Sequence, residues 1–402
     1  YLRKAGEAAQ AAFANTSAID YFQRVLPLLS DEELVEVRLR LGQVLDLVGQ
    51  WQEADEQYRL VLNLAEKLGN VSAQGEAERS IGWLLRKQGD FAPAHEWLAK
   101  ARASFEKAGD PAGVSQVCAD TGEIYRLQGM YIEAEGCFQE GLKQAGMAAD
   151  GQRRLAAQAQ ALKGSGLVAM QQGAHPRART FFERGLAIQR ELGNKPGIGP
   201  LLNNLGIVAR NLGEPDVARR LYEECLASFR ELGDRWAMCI SLNNKGCMLT
   251  ELREFDSARG ALEESLAIAR QLGHGQQICI SLNSLADLCL DEGACSAARR
   301  ALEESLSTCA RLNYRPQIAY ALASLGCIAS AEGQPERALR LSGASDALCQ
   351  SMGMTIQPKD RRRFDRLLEP ARRLLGPERA AAAYAEGQAM SMEEAIDYAL
   401  GG

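Results

Sequence analysis

A small residue returns at a fixed interval along this chain. Gly stands at positions 42, 82, 122, 166, 206 and 246, Ala286 holds the same slot, and Gly326 closes the series. The step is 40 residues except between Gly122 and Gly166, where it is 44. Seven residues after each comes a second slot: Gly49, Gly89, Gly129, Gly173, Gly213, Arg253, Gly293 and Gly333. Twelve after the first comes Ala, at 54, 94, 134, 178, 218, 258, 298 and 338. A period of this length marks a stacked-repeat architecture, because one such unit is too small to cover its own apolar face.

Each slot has a physical reason. A Gly inside a helix costs about 1 kcal/mol relative to Ala. Its recurrence therefore implies a close helix–helix approach that needs the space. The second Gly suits the left-handed residue that ends a helix. Trp51, Phe91, Tyr131, Pro215, Phe255 and Pro335 follow it and open a second helix, where Pro suits the first turn. Four residues beyond the Ala, on the same helix face, sits a large residue such as Tyr58, Leu98, Phe138, Phe182, Tyr222, Leu262 or Leu302. Runs such as Leu68-Gly69-Asn70, Leu192-Gly193-Asn194 and Leu232-Gly233-Asp234 end the second helix and cap the next one. The unit is thus two amphipathic helices. The four extra residues of the long step are expected in a longer turn near Gly146–Gly151.

Composition narrows the class further. With 402 residues, 46% of them hydrophobic, the chain exceeds what a single compact core usually spans. Aromatics are only 6%, which favours helices packed through small side chains. A net charge of −6 argues against nucleic acid as the main partner, since phosphate binding needs a dense cationic stripe. The cluster Arg361, Arg362, Arg363, Arg366, Arg372 and Arg373 has acidic neighbours and reads as a solvated helix face. The 11 cysteines form no C-x-x-C pair, so a disulfide framework or zinc site is not expected and core positions are. No signal peptide and no long apolar run is present, so no membrane segment and a cytoplasmic location are expected. The first residue is Tyr1 rather than Met, which suggests a segment of a longer protein.

The Gly, Gly, Ala and large-residue slots at relative positions 0, 7, 12 and 16 resemble the tetratricopeptide repeat. The 40-residue step exceeds that family's usual length of about 34. It is similar to the longer-helix form in kinesin light chains and Leu-Gly-Asn-rich polarity adaptors. The resemblance covers roughly residues 31–354 and implies an all-α, right-handed superhelical solenoid. Eight repeats are expected there, a diverged helix pair over 1–30 makes about nine, and a helical cap is expected over 355–402. The two ends, Ala5-Gly6-Glu7-Ala8-Ala9 and Ala385-Glu386-Gly387-Gln388 to Glu394-Ala395, resemble the repeat region of bacterial signal-transduction ATPases with numerous domains. Some of those carry nucleotide-cyclase or kinase domains. That resemblance implies a sensor or scaffold half whose partner is an upstream ATPase or cyclase module. No G-x-x-x-x-G-K-[ST] loop lies in this chain itself.

No catalytic set stands out. His95, His175 and His274 fall at helix starts or turns, and H-E-x-x-H, G-x-S-x-G and G-x-G-x-x-G are absent from the sequence. No enzyme activity, cofactor or metal is expected. What stands out is an asparagine ladder. Asn203, Asn243 and Asn283 are 40 apart, three residues before the small-residue slot, with Asn204 and Asn244 beside the first two. The family resemblance implies that first helices line a concave groove. A primary amide there offers both donors and an acceptor to the backbone of an extended peptide. The competing reading is that these amides bridge neighbouring helices, since Asn is a poor mid-helix residue and either use must offset that cost.

Further first-helix positions should share the groove: Arg79, Trp83, Arg86 and Lys87, then Arg126, Lys163, Arg210 and Asn211. Their charge would suit an acidic or carboxylate-bearing partner. Equally, long cations snorkel over apolar helices with no ligand at all. Glu251, Asp287 and Asp291 turn the C-terminal part acidic. The favoured expectation is a protein-interaction scaffold that binds a peptide or protein in the groove. The alternative is an autoinhibitory or small-molecule-sensing repeat domain of a signalling ATPase or cyclase.

Overall fold

The computed structural model describes residues 1–11, 14–354, 356 and 358–401. Thr355 and Gly402, the expected bounds of the cap, lie outside the described residues. The described chain is helical throughout with no strand among the described residues. First helices are α1 (Leu2–Ala11), α3 (Asp31–Leu47), α5 (Val71–Gln88), α7 (Pro111–Leu127), α9 (Gly151–Gln171), α11 (Lys195–Asn211), α13 (Arg235–Glu251), α15 (Gly275–Asp291) and α17 (Arg315–Ala331). Their partners are α2 (Asn15–Val25), α4 (Trp51–Leu68), α6 (Phe91–Lys107), α8 (Tyr131–Met147), α10 (His175–Glu191), α12 (Pro215–Leu232), α14 (Phe255–Gln271), α16 (Cys295–Arg311) and α18 (Pro335–Ser351). Two helices follow: α19 (Pro358–Gln388), broken at Gly376, and α20 (Met392–Leu400). Two compact units divide the chain, residues 1–208 and 209–402. Within each, successive helices such as α3 to α9 and α12 to α19 pack on one another in chain order, the arrangement of an all-α repeat solenoid. No described helix is long and apolar enough to cross a membrane.

The slots do what their residue types allow. Every Ala of the third slot is fully buried, at 0% exposure, which makes it the crossing point of each pair. The first-slot glycine faces the large residue sixteen positions on. A Cβ on Gly42 would lie 2.5 Å from the Tyr58 ring, one on Gly122 2.9 Å from Phe138, and one on Gly166 2.4 Å from Phe182. The glycine is thus the seat of that ring. Gly6 seats Phe22 in the same way, at 2.7 Å, so the diverged first pair keeps the geometry of the others.

Helix ends follow from local chemistry. The second-slot residues all have positive φ, from Gly49 at 82° to Gly333 at 74°, and Arg253 adopts it at 60° without being glycine. Asn70, Asp110 and Asp234 cap the next helix by accepting from the backbone N–H groups of Ala73, Gly113 and Ala237. The expectation of a longer turn near Gly146–Gly151 is corrected. The four extra residues extend α9, which has 21 residues where α7 has 17. Asp150 accepts from Gln152 and Arg153 and so starts the helix one turn early.

Buried serines stitch pairs together. Ser265, Ser305 and Ser345 are 40 apart and completely buried. Each donates to a carbonyl 26 residues back, on Cys239, Cys279 and Ala319, at 2.9, 3.3 and 2.8 Å. Second helices carry ion pairs to the following repeat, including Arg219–Glu254, Arg259–Glu292 and Arg299–Glu332. The cysteines are all free, and eight of the 11 are buried.

Candidate functional site

The second unit holds a cavity of about 450 Å³. Its floor is built from first helices: Thr250 and Glu251 of α13, Asn283 and Asp287 of α15, Gln317 and Tyr320 of α17. Arg363 of α19 closes one side. Its guanidinium pairs with Asp287, donates to the Asp287 carbonyl at 2.9 Å, and reaches Asp291 at 3.3 Å. Tyr320 donates its hydroxyl to Asp287 at 2.6 Å and sets its ring edge-on to Phe364. Burial alone would lower the Arg363 guanidinium, but Asp287 and Asp291 outweigh it and hold it above its ordinary value. Burial holds the Asp287 carboxyl above its ordinary value, although Arg363 and the Tyr320 hydroxyl oppose the shift. Arg361 is likewise tied to Asp346, at 2.9 Å. The reading of the arginine cluster as a solvated face is therefore corrected for Arg361 and Arg363, because α19 lies against α17 and α18.

The ladder amides are buried. Asn203, in the first unit, is 9% exposed; in the second, Asn243 is 6% and Asn283 3% exposed. Asn283 donates to Gln317 at 2.7 Å, bridging α15 to α17, and its carbonyl oxygen has no partner. Asn243 donates weakly to the Cys247 sulfur at 3.8 Å, and its carbonyl oxygen is also unpartnered. Asn204 and Asn244 are half-buried and Asn211 is exposed at the end of α11. Asn283 alone of the ladder lines the cavity.

Most of the expected cations are engaged. In the first unit, Arg79 donates to the buried Asp120 at 2.7 Å, Lys87 meets Asp46 at 2.7 Å, and Arg126 grips Glu123 through two bonds of 2.6 and 2.7 Å. Trp83 lies under the Arg86 guanidinium, 4.0 Å from its ring centre. Lys163 is exposed. In the second unit, Arg210 holds Glu251 through two bonds on the cavity wall. No described cluster of His, Cys, Asp and Glu could hold a metal ion.

A family model for the tetratricopeptide repeat matches residues 33–107, 157–231, 197–271 and 237–311, together more than half of the chain. The chain belongs to the tetratricopeptide-repeat family. No curated protein matches it in sequence. Among solved structures, this tetratricopeptide chain is similar to the apo quorum sensor NprR from B. thuringiensis (14% identity, TM-score 0.57), covering 75% of this chain and 83% of that one. It is also similar to a Rap protein complexed with Competence and Sporulation Factor (15%, TM-score 0.51, 80% and 94%). A third is the Signal Transduction ATPase with Numerous Domains protein PH0952 from Pyrococcus horikoshii, with a tetratricopeptide repeat sensor (12%, TM-score 0.60, 90% and 55%). At these identities the likeness is one of fold.

Within the tetratricopeptide frame, the cavity residues that sequence reading passed over are Tyr320, Gln317 and Arg363. Gln317 and Tyr320 sit on α17, where no polar ladder advertises them. Arg363 lies outside the repeat altogether, and periodicity carries no signal for its 76-residue reach to Asp287.

Proposed function

We propose that this chain is the non-catalytic sensor or scaffold part of a larger regulator, and that it holds a peptide segment of its partner over α13, α15 and α17. The observation that carries the reading is Asn283, a 3%-exposed amide on a cavity wall with its carbonyl oxygen unpartnered. A buried acceptor left without a donor costs about 1–3 kcal/mol, which a ligand N–H would recover. The cavity's size also suits a few side chains of a ligand. Support comes from proteins of the same fold: one is a quorum sensor, and one was solved with a competence and sporulation factor.

A phage-displayed peptide library, panned against the immobilised chain and against an Asn283→Leu variant, tests this. Peptides should be enriched on the native chain and bind the variant about tenfold less well, the loss of one buried hydrogen bond. Enrichment no greater than on bare matrix, or equal binding to both proteins, refutes it. The likeness to a protein whose tetratricopeptide repeats serve as a sensor beside a signalling ATPase favours one elaboration. On that reading an ATPase or cyclase module lies upstream in the same polypeptide. Sequencing the native reading frame decides it: a frame without a nucleotide-binding loop sinks the idea.

A further inference from the structure

We propose that the cavity of the second unit is a cation pocket, which takes a Lys or Arg side chain of the bound peptide in competition with the chain's own Arg363. The inference rests on the peptide-binding reading above and adds the chemistry of the ligand. Charge is the first ground. Glu251, Asp287 and Asp291 line the cavity against two guanidiniums (Arg210 and Arg363). The excess is negative in a site walled by protein, where a charge acts more strongly than on open surface.

Hydrogen-bonding capacity is the second ground. The Asn283 amide gives one N–H to Gln317 and keeps a buried acceptor without a partner. Thr250 spends its hydroxyl proton on the Gly246 carbonyl at 3.0 Å, which leaves its lone pairs. Asp291 keeps a third of its side-chain surface open. Among the buried, unpartnered atoms of the lining the donor is Arg363 Nε, which belongs to the resident cation. A ligand that brings donors meets acceptors on Asn283, Thr250 and Asp291.

The third ground is Arg363 itself. It comes from α19, outside the repeats, and its side chain is only 15% exposed between Asp287 and Asp291. The pocket thus already holds one guanidinium. Ile280, Met352 and Met354 form an apolar wall beside it, so the residue next to the ligand cation is aliphatic.

The peptide pools selected on the native chain supply the test. Lys and Arg should be enriched several-fold over the unselected library, next to Leu, Ile, Val or Met. Individual peptides from the pool are then titrated by fluorescence anisotropy. Asp291→Asn should weaken them about tenfold, the cost of one charge-assisted hydrogen bond. Arg363→Gln should strengthen them, because it removes the internal competitor. A merely structural Arg363 would give the opposite sign. Circular dichroism confirms that each variant is folded, and if Arg363→Gln unfolds, Asp291→Asn carries the decision alone. Pools enriched without a cation, or rich in Asp and Glu, overturn the cation pocket while leaving peptide binding intact. Basic peptides that Asp291→Asn does not weaken overturn it too. Recovery of no peptide overturns both readings.

Discussion

Gly166→Ala sets two known effects against each other, and the structure decides which wins. Gly166 lies inside α9, so helix propensity alone predicts a gain of about 1 kcal/mol. The new methyl would sit 2.4, 2.6 and 2.9 Å from Cε1, Cδ1 and Cζ of Phe182, which is completely buried. Contacts this short force the ring or the helix to move, and overpacking of this kind costs about 1–3 kcal/mol. Against the rigid, buried ring the steric cost prevails, and a net loss of up to about 2 kcal/mol is expected in urea unfolding followed by far-UV circular dichroism. Exposed Gly260, mid-helix in α14, has nothing within 4 Å of an added Cβ. There the same substitution should stabilise by up to about 1 kcal/mol. Phe182→Leu alone leaves a void and destabilises. Combined with Gly166→Ala it should cost less than the sum, because the chain already uses Ala286 opposite Leu302 at these slots, both fully buried. A Gly166→Ala protein as stable as the native one, or more stable, refutes the account of the repeat's first slot.

Two further outcomes follow from the backbone and the buried acids. Arg253→Gly should stabilise by about 0.5–1 kcal/mol, since a left-handed non-glycine costs about 1 kcal/mol or more and the exposed stack on Phe255 returns about half of that; a loss in urea unfolding contradicts it. Stability should also fall on the alkaline side. Burial pushes Cys118 up to about 11, Cys327 to about 12 and Tyr384 to about 12, against unfolded values of about 8.5 and about 10. A raised folded value favours the neutral form in the fold. The contribution is intact below about pH 8.5 and disappears as pH climbs toward 11 and 12. A flat stability profile between pH 8 and 11 would contradict it.

The repeat frame was legible because Gly and Ala report backbone geometry. A left-handed turn, a helix crossing and a seated ring each admit few residue types, so their spacing survives in the sequence. Register was harder to read where the period breaks. Gly6, Ala18 and Phe22 keep the offsets of 0, 12 and 16, but they stand 36 residues before the next unit. The extra turn of α9 was read as a loop because two glycines flank it, whereas Asp150 decides where the helix begins. Polar positions were less legible still. A side chain three residues before the small slot looks groove-facing on a single helix. Whether it reaches open space depends on the next repeat, and Gln317 shows Asn283 turned partly toward its neighbour.

The same dependence on the neighbour governs charge. Read singly, Arg79, Lys87 and Arg126 make a basic strip; read with their partners, each is held by a carboxylate of its own or an adjacent first helix. A partner competing for them must break an existing pair, so its gain is only the difference between two similar interactions. Net attraction survives where the pairing is unequal. In the second unit, Glu251, Asp287 and Asp291 meet two guanidiniums, and one of the two is contributed by a helix that no repeat requires. On the proposed reading, recognition would turn on the balance of charge beside α19 and not on the sign of any one helix face.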